Sequence, residues 1–353
     1  MKTLSRRRLM HSVVLICLIA ALLEPGRALA QLCTASATTV AFGGSVDVTS
    51  GADYPATGTY TITCNIGLLG LGSVNVSACV NIAGASGTTP RTMNFGANTL
   101  AYNLYSDSAH TTVWGTFGGS PSLPSPPNPV NLTVSSLLLG GTASSGPYTI
   151  YGNLKSSQNT TAIAGNYSAS PTATLTYNYS YSPLFLPGTP TSCTSGPSGT
   201  HASSTFALTV NATVINNCSV SATPVNFGSS VGVLTSTLTN TGTITATCTN
   251  NDGYTIALNK GTTTGASLAD RQMAGSGSAV VHYQLFTPTT ITSSGGTGCN
   301  YSTVWGDATS GTSLVSGTGT NVAQNFTVCG RVQTQTTPAP NTYSDTIMVT
   351  VTY

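Results

Sequence analysis

The sequence of 353 residues is poor in charge, with ten Lys or Arg and eight Asp or Glu. Glu24 is the only glutamate, so residues 31–353 offer only seven aspartates as acids. These aspartates mostly neighbour Gly, Ser or Thr, as turn residues do. The histidines His110, His201 and His282 stand outside any HxH, HExxH or Cys-x-x-Cys pattern. This composition argues against an enzyme and against a metal site, and no cofactor is expected.

A long apolar run is also missing after residue 30. Before that point, a basic region (Lys2 and Arg6 to Arg8), an apolar stretch (Val13 to Leu23) and Ala28-Leu29-Ala30 predict a signal peptide at 1–30. We therefore expect an exported chain that begins at Gln31 and is not embedded in a membrane. Its five Lys or Arg and seven Asp give a net charge of −2, which leaves nucleic acid without an electrostatic rationale as a partner.

The mature chain also lacks a convincing helical pattern. Short segments with period-two alternation recur instead, and Gly, Pro and Asn separate them, which is typical of antiparallel strands. Examples are Tyr60 to Cys64, Val74 to Val80, Tyr148 to Asn153, Thr172 to Tyr179 and Asp345 to Tyr353. The pattern predicts an all-β fold of β-sandwiches, and the length favours two domains.

An internal repeat divides the chain into two related copies. The segment from Cys33 to Gly43 matches the segment from Cys218 to Gly228, and Thr112-Val113-Trp114-Gly115 matches Thr303-Val304-Trp305-Gly306. Asn166-Tyr167-Ser168, which leads to Tyr177, matches Thr342-Tyr343-Ser344, which leads to Tyr353. The chain is therefore a tandem of two similar domains.

Eight cysteines remain after the signal peptide, and an even number in an exported chain indicates disulfides. Cys33 and Cys64 occupy the same places in the first copy as Cys218 and Cys248 do in the second, so these form two natural pairs. Elimination then leaves Cys79 with Cys193 and Cys299 with Cys329, and these two pairings stay open.

Four motifs of the second copy resemble the spore coat protein U domain, the pilin-like domain of archaic, Csu-type chaperone-usher fimbriae. They are residues 218–228, Val304-Trp305-Gly306-Asp307, residues 326–332 and residues 341–353. The resemblance implies incomplete immunoglobulin-like sandwiches that a periplasmic chaperone, and later the next pilin subunit, completes by adding a β-strand. The two-domain layout is similar to a fimbrial tip adhesin, which implies an outer-membrane usher as a further partner and the cell surface as the location.

The end of the chain agrees with an incomplete second domain. The alternating residues Ile347, Val349, Val351 and Tyr353 are followed by no covering strand, so we expect them to form the edge that binds a chaperone or donor strand.

The domain boundaries are predicted at 31–192 for an N-terminal adhesin domain, 193–204 for a linker and 205–353 for a C-terminal pilin domain. Thr205 to Ile215 alternates in Phe206, Leu208 and Val210 and is assigned to the first strand of the second domain. The first copy has only Gln31 and Leu32 before Cys33, which predicts a subunit that accepts a strand but donates none.

The first copy carries three apolar segments that the second copy lacks. They contribute ten candidate surface-binding residues: Ile66, Leu68, Leu69, Leu71, Leu137, Leu138, Leu139, Leu184, Phe185 and Leu186. The resemblance implies that such segments attach the cell to abiotic or host surfaces. The alternative is that they fill a larger core or pack on the second domain, because apolar side chains are usually buried.

Two other functions compete with an apolar adhesin. A structural pilus or coat subunit would occur along the whole fibre. A carbohydrate-binding tip would need aromatic rings that stack on sugar, and Tyr102, Tyr105, Tyr177, Tyr179 and Tyr181 could supply them. These tyrosines alternate as strand residues do, which favours a packing role.

Overall fold

The computed structural model describes residues 32–67, 72–84, 90–115, 129–136, 140–155, 158, 162–182, 187–194, 200–229 and 232–353. The predicted signal peptide lies outside these ranges. The regular structure of the described residues consists of β-strands, which confirms the all-β class. A helix of the length and apolarity required to cross a membrane is not found among them.

Twelve strands of the described residues belong to the N-terminal sandwich. They are β1 (Cys33–Ala37), β2 (Val40–Ala41), β3 (Tyr54–Ile66), β4 (Gly72–Ile82), β5 (Arg91–Phe95), β6 (Asn98–Tyr105), β7 (Val130–Ser136), β8 (Gly141–Leu154), β9 (Gly165–Ala169), β10 (Ala173–Ser182), β11 (Thr200–Phe206) and β12 (Val210–Val214). One sheet has the order β1-β3-β8-β6-β5-β9-β12-β2, and the other has the order β11-β10-β4-β7.

The remaining strands form the C-terminal sandwich. They are β13 (Cys218–Ala222), β14 (Leu238–Cys248), β15 (Gly253–Leu258), β16 (Arg271–Ala274), β17 (Val280–Phe286), β18 (Thr290–Thr292), β19 (Gly295–Thr297), β20 (Val315–Thr318), β21 (Gln324–Val332) and β22 (Val349–Thr352). The order β13-β14-β21-β17-β16 repeats β1-β3-β8-β6-β5, and β20-β15-β22 repeats β7-β4-β10.

The alternation of the sequence explains the packing of each strand. In β3, Tyr60, Ile62 and Cys64 are buried and their neighbours Thr61 and Thr63 are partly exposed, so one face of the strand forms core and the other faces water. Each domain has its own cluster of buried apolar residues. The predicted two-domain organisation therefore corresponds to two separate hydrophobic cores.

The predicted position of the domain boundary differs from the structure. β11 pairs with β10 inside the predicted linker, and β12 pairs with β9 and with β2 of the first copy. Residues 205–215 therefore complete the N-terminal sandwich, and their assignment to the C-terminal domain was wrong. Alternation predicts that a strand exists, but it does not show which sheet accepts the strand.

A tyrosine in each domain has the geometry of a tyrosine corner. The hydroxyl of Tyr167 donates to the carbonyl of Ile163 at 3.0 Å, and that of Tyr343 donates to the carbonyl of Ala339 at 2.6 Å. Both bonds reach back four residues along the chain. This arrangement is typical of immunoglobulin-like sandwiches and confirms that residues 342–344 are equivalent to 166–168.

Candidate functional sites

Nine of the ten residues predicted to contact a surface lie outside the described residues. The tenth, Ile66, is 5% exposed and belongs to the N-terminal core, so its predicted surface role was wrong. Ile66 is the last residue of β3 and continues the inward series of Tyr60, Ile62 and Cys64. Strand parity therefore assigns it to the core.

The described residues that flank the three apolar segments meet at one end of the N-terminal sandwich. Ile66 pairs with Gly141 in the first sheet, because β3 ends where β8 begins. In the second sheet Gly72 pairs with Ser136 and Ser73 pairs with Ser182, so β4 begins where β7 and β10 end. We call this end, defined by the residues flanking 67–71, 137–140 and 183–186, the apolar pole.

Close contacts connect these flanking residues across the two sheets. A Cβ atom at Gly140 would lie 2.8 Å from the carbonyl oxygen of Ile66, so the connections that follow β3 and β7 approach each other closely. The side chain of Asn75 donates to the carbonyl of Pro187 at 2.5 Å and accepts from the Thr133 hydroxyl at 2.7 Å. Asn75 therefore fastens the chain after the third segment to the beginning of β4.

The four predicted disulfides are all present, which confirms the two open pairings as well. Cys79 of β4 is bonded to Cys193, which follows the third apolar segment. The bridge supplies a second, covalent link between that segment and β4.

The chain leaves the N-terminal domain at the end opposite the apolar pole. β10 runs toward the pole, because its last residue Ser182 pairs with Ser73 there. β11 is antiparallel to β10, and β12 follows β11 away from the pole. The link to Cys218 therefore begins at the far end of the sandwich.

A second candidate site is an open groove of about 1260 Å³ in the C-terminal sandwich. Its two walls are residues 222–234 and residues 337–347, with residues 230–231 outside the description. Its floor includes Met273, Tyr283 and Leu285. Among the described residues, no strand lies between the walls.

The same slot is filled in the N-terminal domain. There β12 lies between β9 and β2, and its residues Leu208, Val210, Ala212 and Val214 are at most 2% exposed. Pairs of equivalent residues show the effect of this strand: Val48 is 9% and Val233 is 68% exposed, and Tyr177 is 1% and Tyr353 is 52% exposed. The groove is thus the position of a strand that the N-terminal domain supplies from its own chain.

The predicted strand-accepting residues line this part of the molecule. Ile347 and Val349 lie beside the groove, and all of Ile347, Val349 and Val351 are half-buried against the C-terminal core. β22 pairs with β15 on one side only, whereas its counterpart β10 pairs with both β4 and β11. Sequence reasoning missed the opposite wall, where Val225 and Phe227 are half-buried; the signal was their identity with Val40 and Phe42 in the repeat.

One polar cluster borders the groove. The hydroxyl of Tyr283 donates to Asp345 Oδ2 at 2.7 Å, and the backbone N–H of Thr262 donates to Asp345 Oδ1 at 2.9 Å. Burial, together with the carboxylate of Asp345, raises the pKa of Tyr283 well above its usual range. Ala169 occupies the position of Asp345 in the N-terminal domain.

The Trp-Gly turns are structural in both domains. Trp114 is 3% exposed and Trp305 is fully buried, and each indole N–H donates to a backbone carbonyl at 2.9 Å. Asp307 accepts from the backbone N–H of Thr309 at 2.9 Å, and its hydrogen bonds with Thr309 lower its pKa. The Trp305-Gly306-Asp307 sequence is thus a turn motif.

The tyrosines proposed for a carbohydrate site are mostly in the core. Tyr102, Tyr105, Tyr177 and Tyr179 are at most 7% exposed, and Tyr181 is half-buried against the same core. Their rings therefore cannot stack on a sugar at the surface. Within the part of the chain that the structure describes, three or more His, Cys, Asp or Glu side chains do not cluster as metal ligands would.

Comparisons with solved structures find the same kind of fold. The chaperone–tip adhesion subunit complex of archaic Csu pili of Acinetobacter baumannii is 17% identical, with a TM-score of 0.45, 91% of this chain covered and 100% of that chain. A chaperone-tip adhesin complex of CFA/I fimbriae is 9% identical, with a TM-score of 0.32 and coverages of 89% and 95%. The CooA pilin of enterotoxigenic Escherichia coli is 7% identical, with a TM-score of 0.19 and coverages of 52% and 99%.

Sequence comparison with curated proteins found no significant match. The fold and the groove define a two-domain β-sandwich protein in which one sandwich is completed by its own chain and the other is open along one edge. The model of the Spore Coat Protein U domain matches residues 20–174 and 204–350. The chain belongs to this family and contains its domain twice.

Proposed function

We propose that the protein is the tip adhesin of a chaperone-usher pilus. The N-terminal domain attaches the cell to surfaces through the apolar pole, and the C-terminal domain joins the pilus by accepting a β-strand of the next subunit. The observation that carries the proposal is that β12 completes the N-terminal sandwich, whereas the equivalent slot of the C-terminal sandwich is an open groove.

The positions of the two sites support this division of labour. The three apolar segments begin and end at the apolar pole, and the chain leaves for the C-terminal domain from the opposite end. A pole that faces away from the fibre is free to meet a surface. The nine remaining apolar residues would each contribute roughly 1.5 to 3 kcal/mol if fully buried on contact. Such contacts need no specific hydrogen bonds, which suits abiotic or waxy surfaces.

The open edge supports the proposed partners. The unpaired side of β22 and the apolar groove would aggregate if left uncovered, so a periplasmic chaperone is needed before assembly. The next pilin subunit then replaces the chaperone by strand addition, at the outer-membrane usher. The protein accordingly passes through the periplasm to the cell surface and takes the tip position.

Attachment tests the role of the apolar pole. Cells whose pili carry Leu68→Thr, Leu69→Thr, Leu138→Thr and Phe185→Thr should keep normal piliation and lose most of their attachment to plastic. A matched control is Ile291→Thr, because Ile291 is a 44% exposed apolar residue of the C-terminal domain. Attachment that is unchanged in the fourfold variant would overturn the role of the pole.

Immunogold labelling tests the position in the fibre. Label on the native protein should appear at fibre ends. Label along the shaft would instead identify a structural subunit and contradict the proposed tip position.

A further inference from the structure

We propose that β11 and β12, with the bend between them, are a covalently built copy of the joint between the C-terminal domain and the next subunit. The inference rests on the proposed function and deepens it, because it specifies the strand that the groove accepts. In sequence, residues 200–214 directly precede the second repeat, which begins at Cys218. In structure, they lie in the first repeat. They are therefore an N-terminal extension of one pilin-like domain that is permanently inserted into another.

The pairing of this segment gives the register of the joint. Its first half pairs antiparallel with β10, with Ala202 opposite Tyr177. Its second half pairs antiparallel with β9, with Ala212 opposite Tyr167, and parallel with β2, with Val210 opposite Val40. In the second repeat these partners correspond to Tyr353, Tyr343 and Val225. The incoming strand therefore pairs with the open side of β22 and then enters the groove.

The walls of the two slots are built alike, which permits this transfer. A Cβ atom at Gly152 would meet Val40 at 2.9 Å and Phe42 at 3.0 Å, and one at Gly330 would meet Val225 at 2.5 Å and Phe227 at 2.9 Å. Each wall therefore packs onto a glycine of the neighbouring sheet. The tyrosine corners, Tyr167 and Tyr343, form the opposite walls.

The inserted strand defines the sequence that the groove requires. Its inward residues Leu208, Val210, Ala212 and Val214 lie ten, eight, six and four positions before Cys218. The residue at position six is small, because it lies opposite the large ring of Tyr167. We therefore expect the partner to be a pilin subunit with large apolar residues ten, eight and four positions before its first cysteine and a small residue six positions before it.

The direction of the strand also determines where the partner lies. By equivalence with β11 and β12, the donor strand runs antiparallel to residues 341–353 and ends at the far end of the C-terminal sandwich from β22. The body of the partner follows there, as the C-terminal domain follows β12. Successive domains thus repeat one geometric step along the fibre.

The test adds a donor strand to the full mature chain after Tyr353. The tail consists of about six Gly and Ser residues, enough for a hairpin connection, and a copy of residues 202–214. Unfolding of the C-terminal domain is followed by Trp305 fluorescence in a Trp114→Phe background, since these are the two tryptophans of the sequence. The in-register tail should raise the melting temperature of this domain by on the order of 10 °C.

The matched control tail has the same composition but exchanges each inward residue with the residue before it. This moves the alternation by one position and turns the apolar side chains outward, so the rise should disappear. A third tail with the change Ala212→Leu in the copy should lose most of the rise. If all three tails act alike, the groove accepts any apolar strand, and the inference fails while the proposed function stands. If none acts, the inference also fails, and strand addition is judged from fibre assembly alone.

Discussion

A buried arginine holds the Trp-Gly turn of each domain, and the two copies satisfy it differently. Arg91 donates to the carbonyls of Ile82 at 2.6 Å and Trp114 at 2.5 Å, and Arg271 donates to the carbonyl of Trp305 at 2.7 Å. Burial lowers the pKa of Arg91 to about 10, which leaves it charged at neutral pH. Nη1 of Arg271 also donates to Gln284.

The repeat replaces Gln284 by Asn103, whose side chain is one methylene shorter. Within the described residues, neither Nη1 of Arg91 nor Oδ1 of Asn103 has a hydrogen-bond partner. Asn103→Gln should bring the two atoms together and stabilise the N-terminal domain by about 1 to 2 kcal/mol, because the new bond is charge-assisted. Urea unfolding followed by Trp114 fluorescence in a Trp305→Phe background measures the change.

Two variants control for the length of the side chain alone. Asn94→Gln makes the same change at an exposed position of β5 and should leave stability unchanged. Gln284→Asn should destabilise the C-terminal domain, because it removes the partner of a buried charge. If Asn103→Gln and Asn94→Gln have equal effects, the bond to Arg91 does not form.

At the scale of the element, β12 decides where the N-terminal domain ends. A fragment of residues 31–217 contains β12, whereas a fragment of residues 31–204 lacks it. The loss of buried Leu208, Val210 and Val214 should cost roughly 1.5 to 3 kcal/mol each, which approaches the whole stability of a typical domain. We expect the longer fragment to unfold cooperatively and the shorter one to be largely unfolded or aggregated, as measured by circular dichroism and limited proteolysis.

A synthetic peptide of residues 205–215 provides the control in trans. It should restore protease resistance to the shorter fragment, and a peptide with the alternation moved by one residue should not. Equal cooperativity of the two fragments without peptide would show that β12 is dispensable.

The strands were largely predictable from the sequence, but their partners were not. Period-two alternation predicted β3, β4, β8 and β10, because one face of each strand is buried. It also detected residues 205–215, yet assigned them to the wrong domain. Parity explains Ile66 in the same way: a residue that appears to begin a loop is the last inward position of β3. Partner choice depends on which groove is open, and only the assembled sheets show this.

At the scale of the whole molecule, the repeat compares a completed sandwich with an open one in a single chain. The sequence predicted the open edge at residues 347–353, because the alternation there has no successor. It did not predict the second wall at residues 225–233, since these residues carry no strand pattern and are recognisable only by their counterparts in the first copy. The common pole of the three apolar segments could not be derived either, because it depends on the register of two sheets.

The two sandwiches should therefore unfold separately, and the C-terminal one should unfold first. Trp114 and Trp305 are buried in different domains, so Trp305→Phe leaves a reporter of the N-terminal domain and Trp114→Phe leaves a reporter of the C-terminal domain. In each variant the reported domain has its natural sequence. Because the C-terminal core lacks the strand that buries the counterparts of Tyr353 and Val233, its melting temperature should be lower by on the order of 10 °C. Coincident transitions, or an N-terminal domain that melts first, would show that the open groove does not weaken its sandwich.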